Sequence, residues 1–173
     1  MPKSRSERLS HVDAKGAARM VDVEAKPVTP RRAVAEAIIR VRPATLALAR
    51  GNAIKKGRVF DVARLAGIVA AKRCPELIPL CHPTALTSTR VDVEALGDNR
   101  IRVEAEVRAL DRTGVEMEAL TAAAVAALTV YDMLKAVERG ITIERVRLLE
   151  KEGGKSGRYA RAATGPAPKR KSK

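Results

Sequence analysis

Residues 87–109 carry the pattern that most restricts the fold. From Thr87 to Ala95, apolar side chains fall at Val91, Val93 and Ala95; from Ile101 they recur at Val103, Ala105, Val107 and Ala109, with polar or charged residues between them. Successive side chains of an extended strand point to opposite faces, so a period of two predicts strands with one buried and one wetted face. Gly97-Asp98-Asn99 supplies the turn, and the segment reads as an antiparallel hairpin. Such a hairpin cannot shelter its own apolar face; a second layer must cover it.

Two segments are suited to that layer. Between Val59 and Arg73, apolar residues at 62, 65, 66, 69 and 70 follow helical spacing, and Pro75 ends the run. Thr113-Gly114-Val115-Glu116 fits the T-x-x-E capping box and opens a second helix, predicted to continue to Arg139 and to end at a left-handed Gly140. Arg31 to Val41 reads as a strand with Ala33, Ala35, Ala37, Ile39 and Val41 on one face, followed by a short helix or turn over 43–50. Ile141 to Leu149 reads as a last strand whose alternation slips near Arg145-Val146. The order strand, helix, strand, strand, helix, strand predicts an α+β ferredoxin-like plait, βαββαβ, with an antiparallel sheet and its helices on one face. The other sheet face then needs cover, which an oligomer interface can supply.

A chain of 173 residues suits one domain. The boundaries read as a basic, disordered N-terminus over 1–10, a single folded domain over 11–158 and a basic, disordered tail over 159–173. Half of the formal charge of +14 lies in those two ends; the excess that remains on the domain favours an anionic partner. Phe60, Tyr131 and Tyr159 are the only aromatic residues, so the core must be built from small aliphatic side chains, and nucleic-acid binding by base stacking is not expected. No apolar segment follows the basic N-terminus as in a secretory signal. The longest apolar run, 119–134, is shorter than the ~20 residues of a bilayer span, so a cytoplasmic protein without a membrane is the expectation.

Three places could carry chemistry. In VAALTVYDMLKAV, Asp132 and Lys135 lie three apart on one helix side, with Glu118 returning to the same face about 21 Å away. Spacing alone leaves two readings, a weak surface ion pair or an acid–base pair in a cleft, and the surface pair is the commoner arrangement. In ELIPLCHP, two prolines stiffen a loop carrying Cys81 and His82; a histidine there is either structural or functional. Cys74, Cys81 and His82 offer three soft ligands, but the C-x6-C-H spacing matches no common zinc motif, and no bound metal is expected. In KEGGKSG, glycines free backbone amides to approach an anion and Lys151 and Lys155 add charge, although a loose basic segment has the same composition. Lys55-Lys56-Gly57 before the first long helix is a weaker signal of the same kind. These sets suit binding a phosphorylated small molecule and moving protons on it.

Read together, KGRVFDVARLAGIVAAKRCPELIPLCHP, TGVEMEALTAAAVAALTVYDMLKAV and VRLLEKEGGKSG resemble the MoaC family, the cyclic pyranopterin monophosphate synthases of molybdenum cofactor biosynthesis, and LSHVDAKGAARMVDVEAKPVT resembles its opening. The resemblance covers about residues 9–158 and implies a ferredoxin-like fold assembled as a homohexamer, a trimer of dimers. It implies conversion of (8S)-3′,8-cyclo-7,8-dihydroguanosine 5′-triphosphate into cyclic pyranopterin monophosphate and pyrophosphate by a lyase that requires no cofactor, with Mg2+ able to accompany the triphosphate. Carried over by motif, Asp132, Lys135 and Lys56 take catalytic roles. Leu80, Cys81, His82, Met117 and Glu118 bind substrate, with Arg31, Lys72, Lys151 and Lys155 at further basic positions. Lys55 doubles the lysine before Gly57, and Glu152 stands where many relatives have a neutral residue. The competing reading is a basic RNA- or ribosome-associated ferredoxin-like module, against which the lack of aromatic residues on the predicted strands counts.

Overall fold

The structure is a computed structural model that describes residues 16–51 and 58–162. Its elements are β1 (Thr29–Arg40), α1 (Pro43–Arg50), α2 (Val59–Lys72), the one-turn α3 (Cys74–Leu77), β2 (Leu86–Leu96), β3 (Arg100–Asp111), α4 (Glu116–Leu134), β4 (Thr142–Glu152) and β5 (Tyr159–Ala160). The sheet runs β2-β3-β1-β4-β5 with every pairing antiparallel. Leaving aside α1, α3 and β5, this is the expected plait, with β1 at its centre. β5 lies within the stretch expected to be a disordered tail: Tyr159 and Ala160 pair with Lys151 and Glu150, so the fold reaches past residue 158. The expected disorder of 1–10 falls outside the described residues.

The hairpin forms as its alternation predicts, with Gly97 at φ +62° in the turn. Ala33, Ala35, Ala37 and Ile39 of β1 and Val103, Ala105 and Val107 of β3 face the helices. The slipping alternation in β4 has a cause: its register against β1 shifts between Ile38 and Ile39 and again between Val34 and Ala35, so β4 bulges twice. The opposite face is paved with charge. Glu36, almost fully buried, accepts from Arg102, Arg145 and Arg147, and Arg32 bridges Glu106 and Glu150. Intramolecular ion pairs therefore cover much of the face that the sequence left needing cover, and β1 to β4 carry no aromatic residue for stacking.

The spacing of α2 did not tell which side faces inward. Val62, Leu65 and Val69 point outward, while Val59, Ala63, Gly67, Ala70 and Ala71 are buried and Phe60 and Ile68 pack against the core at its edge. Close packing against the alanine face of α4 (Ala119, Ala122, Ala123, Ala126, Ala127) requires small residues on both sides. A Cβ at Gly67 would lie 3.0 Å from the Ala122 carbonyl oxygen. By length and composition α4 could cross a bilayer, but here it is the core helix, packed against α2 and the sheet.

Both ends of α4 are set by tertiary contacts. No side chain caps its start: Thr113 faces Thr84, with hydroxyl oxygens 3.4 Å apart, and Glu116 faces Lys151, so the expected capping box does not form. The helix stops at Leu134 rather than Arg139. The Val137 amide bonds back to the Leu134 carbonyl, Arg42 donates to the Val137 carbonyl, and the buried Glu138 carboxylate accepts the Arg42 amide at 2.9 Å. Gly140 is not left-handed.

Candidate active site

One end of the sheet, where β1 begins and β3 and β4 finish, opens into a cleft of about 990 Å3. Arg31, Leu80, Cys81, His82, Met117, Lys151 and Lys155, all sequence candidates, line it. Its size fits a nucleotide-sized ligand. Arg31 is buried and clamped, donating from Nε to the Asp111 carbonyl at 3.0 Å and from Nη2 to the Arg112 carbonyl at 2.8 Å. It also props the glycine loop. Gly153 and Gly154 adopt φ of +94° and +72°; a Cβ at Gly153 would sit 2.3 Å from the Pro30 carbonyl oxygen, and one at Gly154 would sit 2.0 Å from Arg31 Nη1. Only glycine fits this wall, which brings backbone amides close to the cleft. Lys151 bonds the Ser156 hydroxyl and lies 3.8 Å from Glu116.

His82 is half-buried, its Nε2 2.7 Å from the Val21 carbonyl oxygen. A carbonyl can only accept, so Nε2 carries the proton and Nδ1 is left as the basic nitrogen. Behind it Cys81 donates to Glu118 Oε1 at 3.6 Å, and the Cys74 and Cys81 sulfurs stand 3.8 Å apart. Burial and the neighbouring Glu118 carboxylate push the Cys81 thiol up to about 12, so it is a neutral S–H at physiological pH. Burial likewise raises Glu118, which is almost fully enclosed, and the nearby Thr84 hydroxyl and Cys81 thiol offset only part of that cost.

The remaining candidates lie elsewhere. Asp132 and Lys135 form an ion pair of 2.6 Å, both more than half exposed, at the far end of α4. Fifteen residues separate Met117 from Asp132, about 22 Å of helix, so a single chain does not bring this pair to the cleft. Lys72 is exposed beside Thr84, Thr87 and Ser88 in a separate depression. Lys56 lies outside the described residues. Lys26, Arg112 and Glu116 also line the cleft and were not read as site residues from sequence. Arg112 immediately follows β3, and neither it nor Lys26 carried a sequence signal, because only the tertiary fold lays their segments beside Arg31 and His82.

A ferredoxin-like plait with a glycine-walled, cationic cleft beside a histidine and a buried carboxyl is the scaffold of a protein that handles an anionic small molecule. The sequence pattern of the MoaC family matches residues 20–154, and the chain belongs to that family. A relative from Thermomicrobium roseum named cyclic pyranopterin monophosphate synthase is 59% identical over 154 residues, covering 88% of this chain and 93% of the relative.

Proposed function

We infer that this chain is a cyclic pyranopterin monophosphate synthase, a lyase of molybdenum cofactor biosynthesis that converts (8S)-3′,8-cyclo-7,8-dihydroguanosine 5′-triphosphate into cyclic pyranopterin monophosphate and pyrophosphate. The observation that carries the reading is that LCH, Met117 and GGKS, far apart in the chain of a MoaC-family protein, converge on one cationic cleft, with Glu118 buried behind Cys81. The reaction opens the purine imidazole ring, closes a pyran ring, and has a ribose hydroxyl attack the α-phosphorus as pyrophosphate leaves. Lys26, Arg112, Lys151 and Lys155 supply cations for the triphosphate and for the charge that grows on the leaving pyrophosphate. His82 Nδ1 can take a proton, and Glu118, held toward its neutral form, can give one. Cys81, as a neutral thiol, donates a hydrogen bond rather than attacking as a nucleophile.

The carboxylates lining the cleft are engaged: Glu116 faces Lys151, and Glu152 is paired with Arg32 and Arg158. They do not form a cage for Mg2+, which would arrive with the triphosphate rather than be held by these groups.

The active form is a homohexamer, a trimer of dimers, in which Asp132 and Lys135 of one subunit complete the cleft of another. Two features support this. The pair sits at the opposite end of α4 from the cleft, and the helix layer exposes Val62, Leu65, Val69 and Leu128 to solvent, the kind of apolar surface that a partner covers. By its family motif, Lys56 is a further catalytic lysine. Incubating the pure protein with the cyclic dihydro-GTP triphosphate and measuring cyclic pyranopterin monophosphate and pyrophosphate tests the activity; an intact oligomer without turnover would overturn it.

A further inference from the structure

We propose that Cys74, Cys81 and Glu118 form a binding site for a thiophilic divalent cation of the zinc class, set beneath the substrate cleft. Cys74 opens α3, and the chain returns through a turn in which the Cys81 amide bonds the Ile78 carbonyl. This places the two sulfurs side by side, and α4 brings Glu118 to them. The C-x6-C spacing that matches no sequence motif for zinc is thus completed from a distant helix, while His82, the ligand that spacing suggests, is turned away toward Val21.

The distances are those of a coordination shell. With Zn–S of ~2.3 Å, tetrahedral geometry separates two sulfurs by ~3.8 Å, and with Zn–O of ~2.0–2.2 Å it separates sulfur from oxygen by ~3.6 Å. The Cys74–Cys81 and Cys81–Glu118 separations are 3.8 and 3.6 Å. All three ligand atoms lie within 4.8 Å of one another, so a small side-chain rotation closes the third edge.

Thiol hydrogen bonds have similar lengths, but they leave something unexplained. Glu118 Oε2 is buried without a hydrogen-bond partner, and no cation among the described residues pairs with that carboxylate. An orphaned carboxyl oxygen buried beside two sulfurs is a donor set whose lone pairs have no acceptor, and a metal ion supplies one. The Thr121 hydroxyl, 3.5 Å from the Cys74 sulfur, stands behind that ligand to orient it. Cys81 lines the cleft, so a fourth position is open there for water. On binding, each thiol loses its proton as its sulfur bonds the metal and Glu118 binds as the carboxylate: two metal–sulfur bonds and one metal–oxygen bond form, and the two thiol protons, together with the carboxyl proton wherever Glu118 carries one, leave to solvent.

Because the ion would hold Cys81 and Glu118, its binding inhibits turnover. That consequence rests on the function proposed above; the site itself does not. The test uses the full-length, reduced, metal-stripped protein equilibrated with Zn2+ or Cd2+. One ion per chain at micromolar free metal, an ultraviolet thiolate-to-cadmium charge-transfer band, and protection of both cysteines from alkylation are expected. Cys74→Ala should bind at least tenfold more weakly while keeping its fold and basal turnover, and Thr121→Val should still bind. Absence of stoichiometric binding and of the charge-transfer band in the wild type would overturn the site, as would undiminished binding by a folded Cys74→Ala. Alkylation protection in the wild type decides the matter should that variant fail to fold. Zinc-loaded wild type that turns over at full rate would count against the roles given to Cys81 and Glu118 while leaving the cation site standing.

Discussion

Glu118 shows how far a single residue's chemistry depends on its surroundings. Its place in an ME pair marks it by family motif, but spacing describes it only as one carboxylate on a helix. Burial raises it, and the sign of the consequence follows: a carboxyl whose folded value exceeds its unfolded value adds stability below the unfolded value and loses it as pH rises through the folded one. Glu118→Gln should therefore melt a few degrees above wild type at neutral pH, with the gap closing on acidification toward the ordinary carboxylate range, as measured by thermal unfolding across pH. The same variant should lose at least ~100-fold in turnover, since a positioned acid or base is worth about that much. A variant that is both less stable and fully active would refute the account. Leu80, Cys81 and His82 were legible from a stiff proline-framed loop and a family resemblance. Arg112 and Lys26 were not, because an isolated cation in a charged chain carries no periodic signal.

Elements were read well where they repeat and poorly where neighbours decide. Alternation over 87–109 placed β2 and β3 to within a residue or two. The apolar spacing in α2 located the helix but not its buried side, since periodicity locates a stripe and not its partner, and the line of closest approach to α4 takes Ala63, Gly67, Ala70 and Ala71. The ends of α4 were missed for a related reason: Thr84, Lys151 and Arg42 take the groups that local capping rules would have used. The glycine wall after β4 makes the sharpest element-scale prediction. Gly153→Ala forces a Cβ against the Pro30 carbonyl in a left-handed backbone and should cost about 2–3 kcal/mol, read by denaturant unfolding, together with a raised KM. An unchanged KM and stability would remove the loop from the phosphate site.

At the scale of the whole molecule, two features carry consequences. Burial opposes ionisation of Glu36, but hydrogen bonds from Arg145 and Arg102 outweigh it and hold this carboxyl below the usual range; Arg147 adds to them. A lowered carboxylate contributes stability that is present above its unfolded value, about 4.3, and is lost as pH falls through the folded one. Glu36→Ala takes from three guanidinium groups the buried carboxylate they share and should cost about 3–5 kcal/mol at neutral pH, with much of the difference gone in acid. Chemical denaturation at neutral and acid pH measures both. The second feature is the distance between the cleft and the Asp132–Lys135 pair. Mixed oligomers of the inactive variants His82→Ala and Lys135→Ala should regain about a quarter of wild-type turnover, because half of randomly formed pairs carry one intact site of two. No recovery on verified co-assembly would confine each site to one chain.

The sequence by itself determined the strands of the plait, their order, and the segments that bear chemistry, because periodicity, turn residues and motifs are local properties of the chain. Tertiary structure decided which of those segments meet. Antiparallel pairing gathers the start of β1 and the ends of β3 and β4 at one rim, so Arg31, Arg112 and Lys151 share a cleft despite their distance in sequence. The rigid 1.5 Å rise of α4 carries Asp132 and Lys135 away from it, and close packing against alanine put the small residues of α2 inward and left Val62, Leu65 and Val69 outside. No local pattern encodes any of these three outcomes, since each depends on what lies across a layer rather than along the chain.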